Sequence, residues 1–263
     1  MDTRRIRTII DKEWAEVFKN RLVLFTVLFL PLLFTALPLI VLSVMGQGGP
    51  GGSASDMPAQ FMKVCGNLDA HTCTQYYLLN EFLLMFMMMP LIIPTAIAAY
   101  SIVGEKTTHS LEPLLATPIT TAELLVGKAL AAALPAVFAT WACFFIFVLL
   151  MPLVGASAAL VKLVFAPTWL IAVLIIGPLM AVASVNLAVI VSSRVNDPRA
   201  AEQISGVMVV PVLLILFAQI AGFIVINPSM MIVSAFVVLA IDVALVYAGS
   251  RLFQREVILT HWK

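Results

Sequence analysis

Charged side chains gather in one internal stretch, Gly104 to Lys128 (GEKTTHSLEPLLATPITTAELLVGK), set between two long apolar runs. It carries Glu105, Lys106, Glu112, Glu123 and Lys128 in a chain with 11 % charged residues. Elsewhere the groups able to do chemistry are few. Asp242 is a carboxylate near the middle of an apolar segment, where an ionisable side chain marks a functional site by default. Its readings are a cation or proton site, a lining of a substrate path, or a structural hydrogen bond to a neighbouring helix. Asn186 and Gln219 are candidate polar lining of the same path, or side chains that join helices. Cys65 and Cys73 lie in one polar loop and are candidates for a disulfide if that loop faces an oxidising compartment; the alternative is two free thiols. Met85, Met87, Met88 and Met89 cluster without His or Cys, which favours adaptable packing over a soft-metal site. Glu81 stands near the outer end of its segment, within reach of water.

Catalytic arrangements are missing. His71, His109 and His261 all lie outside the apolar runs, so no histidine-and-carboxylate metal site is expected at membrane depth. There is no G-x-S-x-G elbow. Gly127-Lys128 is followed by Ala129, and Ala122 stands where a phosphate-binding loop needs its first glycine. We therefore expect no catalytic residue, no metal, no cofactor and no nucleic-acid partner on this chain.

The elements that must position these groups follow from hydropathy. The chain has 263 residues and is 62 % hydrophobic, with a mean hydropathy of +1.08. A soluble domain is about 45–50 % apolar and about 25 % charged, so the composition implies a membrane protein, with residues 1–263 as a single transmembrane domain. Residues 1–21 carry six basic and four acidic side chains. Ile6, Ile9, Ile10, Trp14, Val17 and Phe18 recur at helical spacing, which predicts an amphipathic helix lying on the membrane or packed on a partner. No cleavable leader pattern precedes the first apolar run. A bilayer core needs roughly 20 apolar residues per helix, and six stretches qualify, at about 22–45, 78–103, 129–154, 167–191, 207–226 and 229–250. Residues 46–77 form a Gly-rich loop, and 155–166 a short connector. Asp197-Pro198 and Asn227-Pro228 each read as a cap followed by a first-turn proline.

Thirteen Lys and Arg fall on the side of the termini and of 104–128, and two on the other. By the positive-inside rule, both termini and 104–128 are cytoplasmic and the Cys65–Cys73 loop is outside. Thr120 and Glu123 have capping-box spacing, so a helix starts near Thr121 and runs into the third span. Upstream, Leu111, Leu114 and Leu115 give a short helix one apolar face, with Glu105, Lys106 and Glu112 elsewhere on it. It reads either as a knob that docks into a partner's groove or as a plain connecting loop.

Gly104-Glu105-Lys106, Leu111-Glu112-Pro113-Leu114-Leu115-Ala116-Thr117-Pro118-Ile119 and Glu123-Leu124-Leu125-x-Gly127-Lys128 together resemble the cytoplasmic signature of type-2 ABC exporter permeases. The tail Phe253-Gln254-Arg255-Glu256-x-Ile258-Leu259-x-x-Trp262 is similar to the branch that includes the sodium-exporter permease NatB. His109-Ser110 departs from it, since relatives tend to carry a basic residue and Thr there. The resemblance implies an all-α fold of six spans with an N-terminal interfacial helix and a cytoplasmic coupling helix. It implies a permease subunit in a prokaryotic-type inner membrane, paired with a second permease chain as a homodimer and with two copies of an ABC ATPase that bind ATP and Mg. Glu105, Lys106, Leu111, Glu112, Leu114 and Leu115 would then couple ATPase closure to the spans, and substrate would move from the cytoplasm or inner leaflet outward. A channel or membrane scaffold independent of any ATPase is the alternative.

Overall fold

A computed structural model describes residues 2–17, 19–46, 61, 65, 69–107 and 120–252. Among them there is no strand. An amphipathic helix, α1 (Thr3–Val17), precedes six helices long and apolar enough to cross a membrane. These are α2 (Arg21–Gly46), α3 (Ala70–Thr107), α4 (Thr121–Leu150), α6 (Pro167–Ser192), α7 (Pro198–Ile220) and α8 (Pro228–Leu252). A short helix, α5 (Ala158–Val164), joins α4 to α6 and is capped by Ser157, which accepts from the Leu160 amide. The fold is thus all-α with six candidate spans. The expected coupling segment at 108–119, the Gly-rich loop from 47 to 60 and the tail from 253 lie outside the described residues.

The second span is the hub. α3 has the most deeply covered interior of the six, and it packs against α2, α4, α6 and α7. α7 and α8 are the least covered and leave Phe217, Phe236 and Val243 exposed. Apolar side chains on that surface suit lipid or another apolar chain.

Two spans differ in their bounds from the hydropathy reading. α3 begins at Ala70, not near 78, because Asp69 caps it: its carboxylate accepts from the Thr72 amide at 3.1 Å. Hydrogen bonds from the Thr72 hydroxyl and then the Thr72 amide hold the Asp69 carboxyl below its ordinary range. The fifth span begins at Pro198, capped by Asp197, and ends at Ile220; Gly222 then turns the chain with φ +76°. Asn227 caps α8 by accepting from the Met230 amide at 2.9 Å.

Prolines interrupt five of the spans, and at three of these breaks a neighbouring helix donates to the backbone. A proline has no N–H for the carbonyl four residues earlier, and in lipid that carbonyl needs another donor. Pro94 frees the Pro90 carbonyl, and the Ser184 hydroxyl of α6 lies 3.3 Å from it, its one proton shared with the Ala181 carbonyl of its own helix at 3.0 Å. Pro135 frees the Ala131 carbonyl, and the Trp14 indole of α1 donates to it at 2.9 Å. Just before Pro178, residues Ala172–Ile176 widen into a π-helical turn, and Trp141 Nε1 donates to the Val173 carbonyl at 3.0 Å. The side chains that repair the helices therefore also join them.

Trp14→Phe keeps the aromatic body and removes the donor to Ala131. We expect a loss of about 1–3 kcal/mol, measured as a lower midpoint of unfolding in detergent, with Trp141→Phe as a second case of the same repair.

Candidate functional site

α1 lies along the first turns of α4 and runs in the same direction. The capping box opens α4 as its spacing predicts: Glu123 N donates to Thr120 Oγ1 at 3.2 Å, and Thr120 N donates to Glu123 Oε2 at 3.0 Å. Glu123 also accepts from the Asp2 amide at 2.8 Å, and Arg5 lies 3.6 Å from it. One turn on, Gly127 lets the helices touch. A Cβ there would stand 2.8 Å from Ile9 Cγ2, closer than real side chains approach. The Trp14 bond to Ala131 fixes the far end.

Between these contacts lies a buried ion cluster shared by three helices. Lys128 Nζ of α4 is 2.6 Å from Glu13 Oε1 of α1, 2.7 Å from Glu105 Oε2 of α3 and 2.9 Å from Ser101 Oγ of α3. Lys128, Glu13 and Glu105 are 6 %, 3 % and 4 % exposed at their side chains, so water contributes little to their solvation. Ser101 donates to Glu13. Lys12 reaches over the rim to Glu105, with Glu13 and Glu16 at 3.9 and 3.7 Å. Partial burial disfavours the Lys12 charge, but the hydrogen bond to Glu105 and the charges of Glu105, Glu13 and Glu16 outweigh it and raise its pKa above that of an ordinary lysine. Two buried carboxylates thus face two ammonium groups, which is the condition under which buried charge is tolerated.

This arrangement relocates two of the proposed coupling residues. Glu105 and Lys106 belong to the last turn and a half of the second span, not to a separate helix. Glu105 faces the chain's own lysines. Lys106 donates to the carbonyls of Ser193 and Val195 in the α6–α7 turn, at 3.3 and 3.5 Å. Leu111, Glu112, Leu114 and Leu115 lie outside the described residues. What is on view is both roots of that segment, Thr107 and Thr120, with α1 tied to the helix behind each.

Glu13, Lys12 and Ser101 were missed in the sequence. Glu13 carried a readable signal: it lies four residues from both Ile9 and Val17, on the apolar stripe of α1, and those three are its buried residues. Its partner Lys128 is 115 positions away, which no local pattern reveals.

The candidate pathway residues separate, and no hydrogen bond links the three among the described residues. Asp242 is 5 % exposed, and neither carboxylate oxygen has a hydrogen-bond partner among the described residues. Gln219 is 1 % exposed and lies beside Glu81. Asn186 donates to Val182 of its own helix at 2.8 Å and edges an apolar cavity of about 300 Å³ between α4, α6 and α8. Cys65 and Cys73 are bonded, with Cα atoms 5.6 Å apart. Met87, Met88 and Met89 are core residues. No group of three or more His, Cys, Asp or Glu suited to a metal is found among the described residues. On the α1 side of the bundle, two polar clefts of about 470 and 380 Å³ share Tyr100 and open beside Glu16, Asn20, Arg199 and Glu202.

Lys128→Met removes the central cation and leaves two buried carboxylates short of charge. We expect a loss of about 3–5 kcal/mol in stability. In a thermal-unfolding double-mutant cycle, Glu13→Gln should recover part of that loss, because it removes one orphaned charge. Strict additivity of the two substitutions would show that they do not interact.

Residues 7–256 match the family model described as ABC-2 family transporter protein. A comparison with curated proteins returns no match. The family match extends over nearly the whole chain, from within α1 to beyond the last span, and agrees with the six apolar helices. The chain therefore belongs to the ABC-2 transporter family, as a multi-pass membrane permease component of an ABC transporter.

Proposed function

We propose that this permease is the membrane subunit of an ATP-driven exporter, and that residues 108–119 receive the stroke of a separate ATPase. The observation that carries this reading is the attachment of α1 to both roots of that segment, through Lys12 to Glu105 and Glu13 to Ser101 on the α3 side, and through Glu13 to Lys128 and the Asp2 amide to Glu123 on the α4 side. A displacement of 108–119 then moves the ends of α3 and α4 together with α1 as one piece. Because α3 touches four other spans, the motion spreads as rigid-body switching biased from a distant site.

In this reading two permease chains, alike and in a prokaryotic-type inner membrane, pair through apolar surface such as that left on α7 and α8. Two ATPase subunits carry the ATP and Mg. The distribution of Lys and Arg supports cytoplasmic termini. The bonded pair Cys65–Cys73 supports an oxidising compartment on the other side. The clefts around Tyr100 supply access from the cytoplasm or inner leaflet, and transport runs outward. The resemblance of the motif and tail supports a NatB-like branch, but sodium is a poor cargo, because a hard cation takes about six or more oxygen ligands and the spans offer few at one depth.

The test uses the permease reconstituted with its ATPase. Glu112→Ala and Leu114→Ala should leave insertion and thermal stability intact. Permease-stimulated ATP hydrolysis should fall by about fivefold or more, the size of a coupling free energy near 1 kcal/mol. Unchanged stimulation and transport would overturn the assignment, as would a tagged chain that purifies in mild detergent without any nucleotide-binding subunit.

A further inference from the structure

The six apolar stretches 22–45, 78–103, 129–154, 167–191, 207–226 and 229–250 contain two charged residues, Glu81 and Asp242, and no lysine, arginine or histidine. The membrane interior of this protein is therefore acidic without a fixed counter-charge. Glu81 stands away from water, contrary to its reading as a solvated outer residue: it is 9 % exposed, and both carboxylate oxygens lack a hydrogen-bond partner among the described residues. Gln219 of α7 and Tyr77, one turn earlier on α3, approach the carboxylate closely enough to interact with it, but without a well-aligned hydrogen bond. The Gln219 amide is 1 % exposed, and its nitrogen and oxygen also lack partners among the described residues. Four buried polar atoms on these adjacent side chains thus have only one another and the Tyr77 hydroxyl at poor hydrogen-bond geometry, and among the described residues no cation faces the carboxylate, which is costly in a dry interior.

The surroundings continue the pattern. Leu84 follows Glu81 by three residues, and Ile215 precedes Gln219 by four, so each shares a helix face with the polar group next to it. Both line a cavity of about 80 Å³ with Met87, Met180, Met230 and Met231. Methionine side chains reshape around varied apolar ligands. Toward the end of the bundle away from α1, Phe61 packs on the Cys65–Cys73 bond with Tyr76, Tyr77 and Val225, and its ring centre is 5.0 Å from that of Tyr77. This covers the polar group from above.

We propose that Glu81, Gln219 and Tyr77, set against the methionine-lined cavity, form a binding site for an apolar organic amine in its ammonium form. The ammonium group supplies what the site lacks: a positive charge for the carboxylate and N–H donors for the Glu81 and Gln219 oxygens. An alkyl or ring portion fills the apolar cavity below. A bare metal ion fits less well, since three oxygen-bearing side chains fall short of its usual shell. The proposal names the cargo class of the exporter reading and rests on that reading for the direction of movement; binding itself needs neither the ATPase nor nucleotide.

The test is a fluorescence titration of the full permease in nanodiscs of zwitterionic lipid, without ATPase or nucleotide. The probes are a dansyl-tagged primary alkylamine and its counterpart with a hydroxyl in place of the ammonium. Wild type should prefer the amine by about tenfold or more. Glu81→Gln should erase that preference while leaving alcohol binding unchanged, which also shows the variant is folded. Met231→Trp should weaken both probes. If Glu81→Gln does not fold, Gln219→Leu takes its place and should reduce the preference. Equal binding of the two probes to wild type overturns the proposal. So does a preference that survives Glu81→Gln, or one that is lost instead in Asp242→Asn. Loss of ATPase stimulation in the separate coupling experiment bears on none of these outcomes.

Discussion

The Lys128 ammonium, buried against Glu13 and Glu105, is the interaction on which the rest of the arrangement depends. Each charge is intolerable in the interior alone, and each helix brings one of them. α1 can dock only where α3 and α4 present their charges together. α3 and α4 are in turn fixed at the point where each enters or leaves the 108–119 segment. Hydrophobic contact alone would let these helices slide, because apolar surfaces are not directional. A carboxylate between an ammonium and a hydroxyl sets one register. The Gly127–Ile9 contact and the Trp14 bond to Ala131 supply the close fit around it.

The same logic extends into the spans through proline. Each proline that frees a carbonyl creates a demand that a neighbouring helix can meet. Ser184, Trp14 and Trp141 meet three such demands, and each ties a different pair of helices. Polar order in this protein thus comes from breaks in the helices as well as from charged side chains. Glu81 and Gln219 stand outside this economy of satisfied groups, which is why they mark a place for a ligand.

Much of the architecture was legible because its determinants are local. Span length follows from bilayer thickness, so six apolar runs became six long helices. The capping box at Thr120 and Glu123 and the Asp197-Pro198 and Asn227-Pro228 starts were readable within four residues. Boundaries set by a single cap were less so: Asp69 starts α3 eight residues before the apolar run, and Gly222 ends the fifth span early. The ion cluster was not legible, since Glu13, Glu105 and Lys128 come from three separate segments. Glu105 was read as facing a partner because its motif resembles a coupling segment, and such a resemblance does not show which side chains turn back onto the chain's own helices. Glu81 was read as within reach of water because it stands near the outer end of its apolar run; its neighbour Gln219 comes from a helix far off in sequence.

The claim that α1, α3 and α4 move as one body at their charged ends is tested by locking α1 to α4. Ile9→Cys with Gly127→Cys brings two thiols to the helix contact; the two Cβ atoms start 2.9 Å apart, so α1 and α4 must part by about 1 Å to reach disulfide spacing, and the reduced double variant is the reference for the oxidised one. The doubly substituted permease, reconstituted with its ATPase, is assayed for stimulated ATP hydrolysis and transport after oxidation and after reduction, beside the parent chain treated the same way. The account predicts equal activity with the cross-link closed and open, because the two helices never separate during the cycle. Activity that is lost on oxidation and restored on reduction in the double variant alone would contradict it, by showing that α1 must leave α4 for the transporter to turn over.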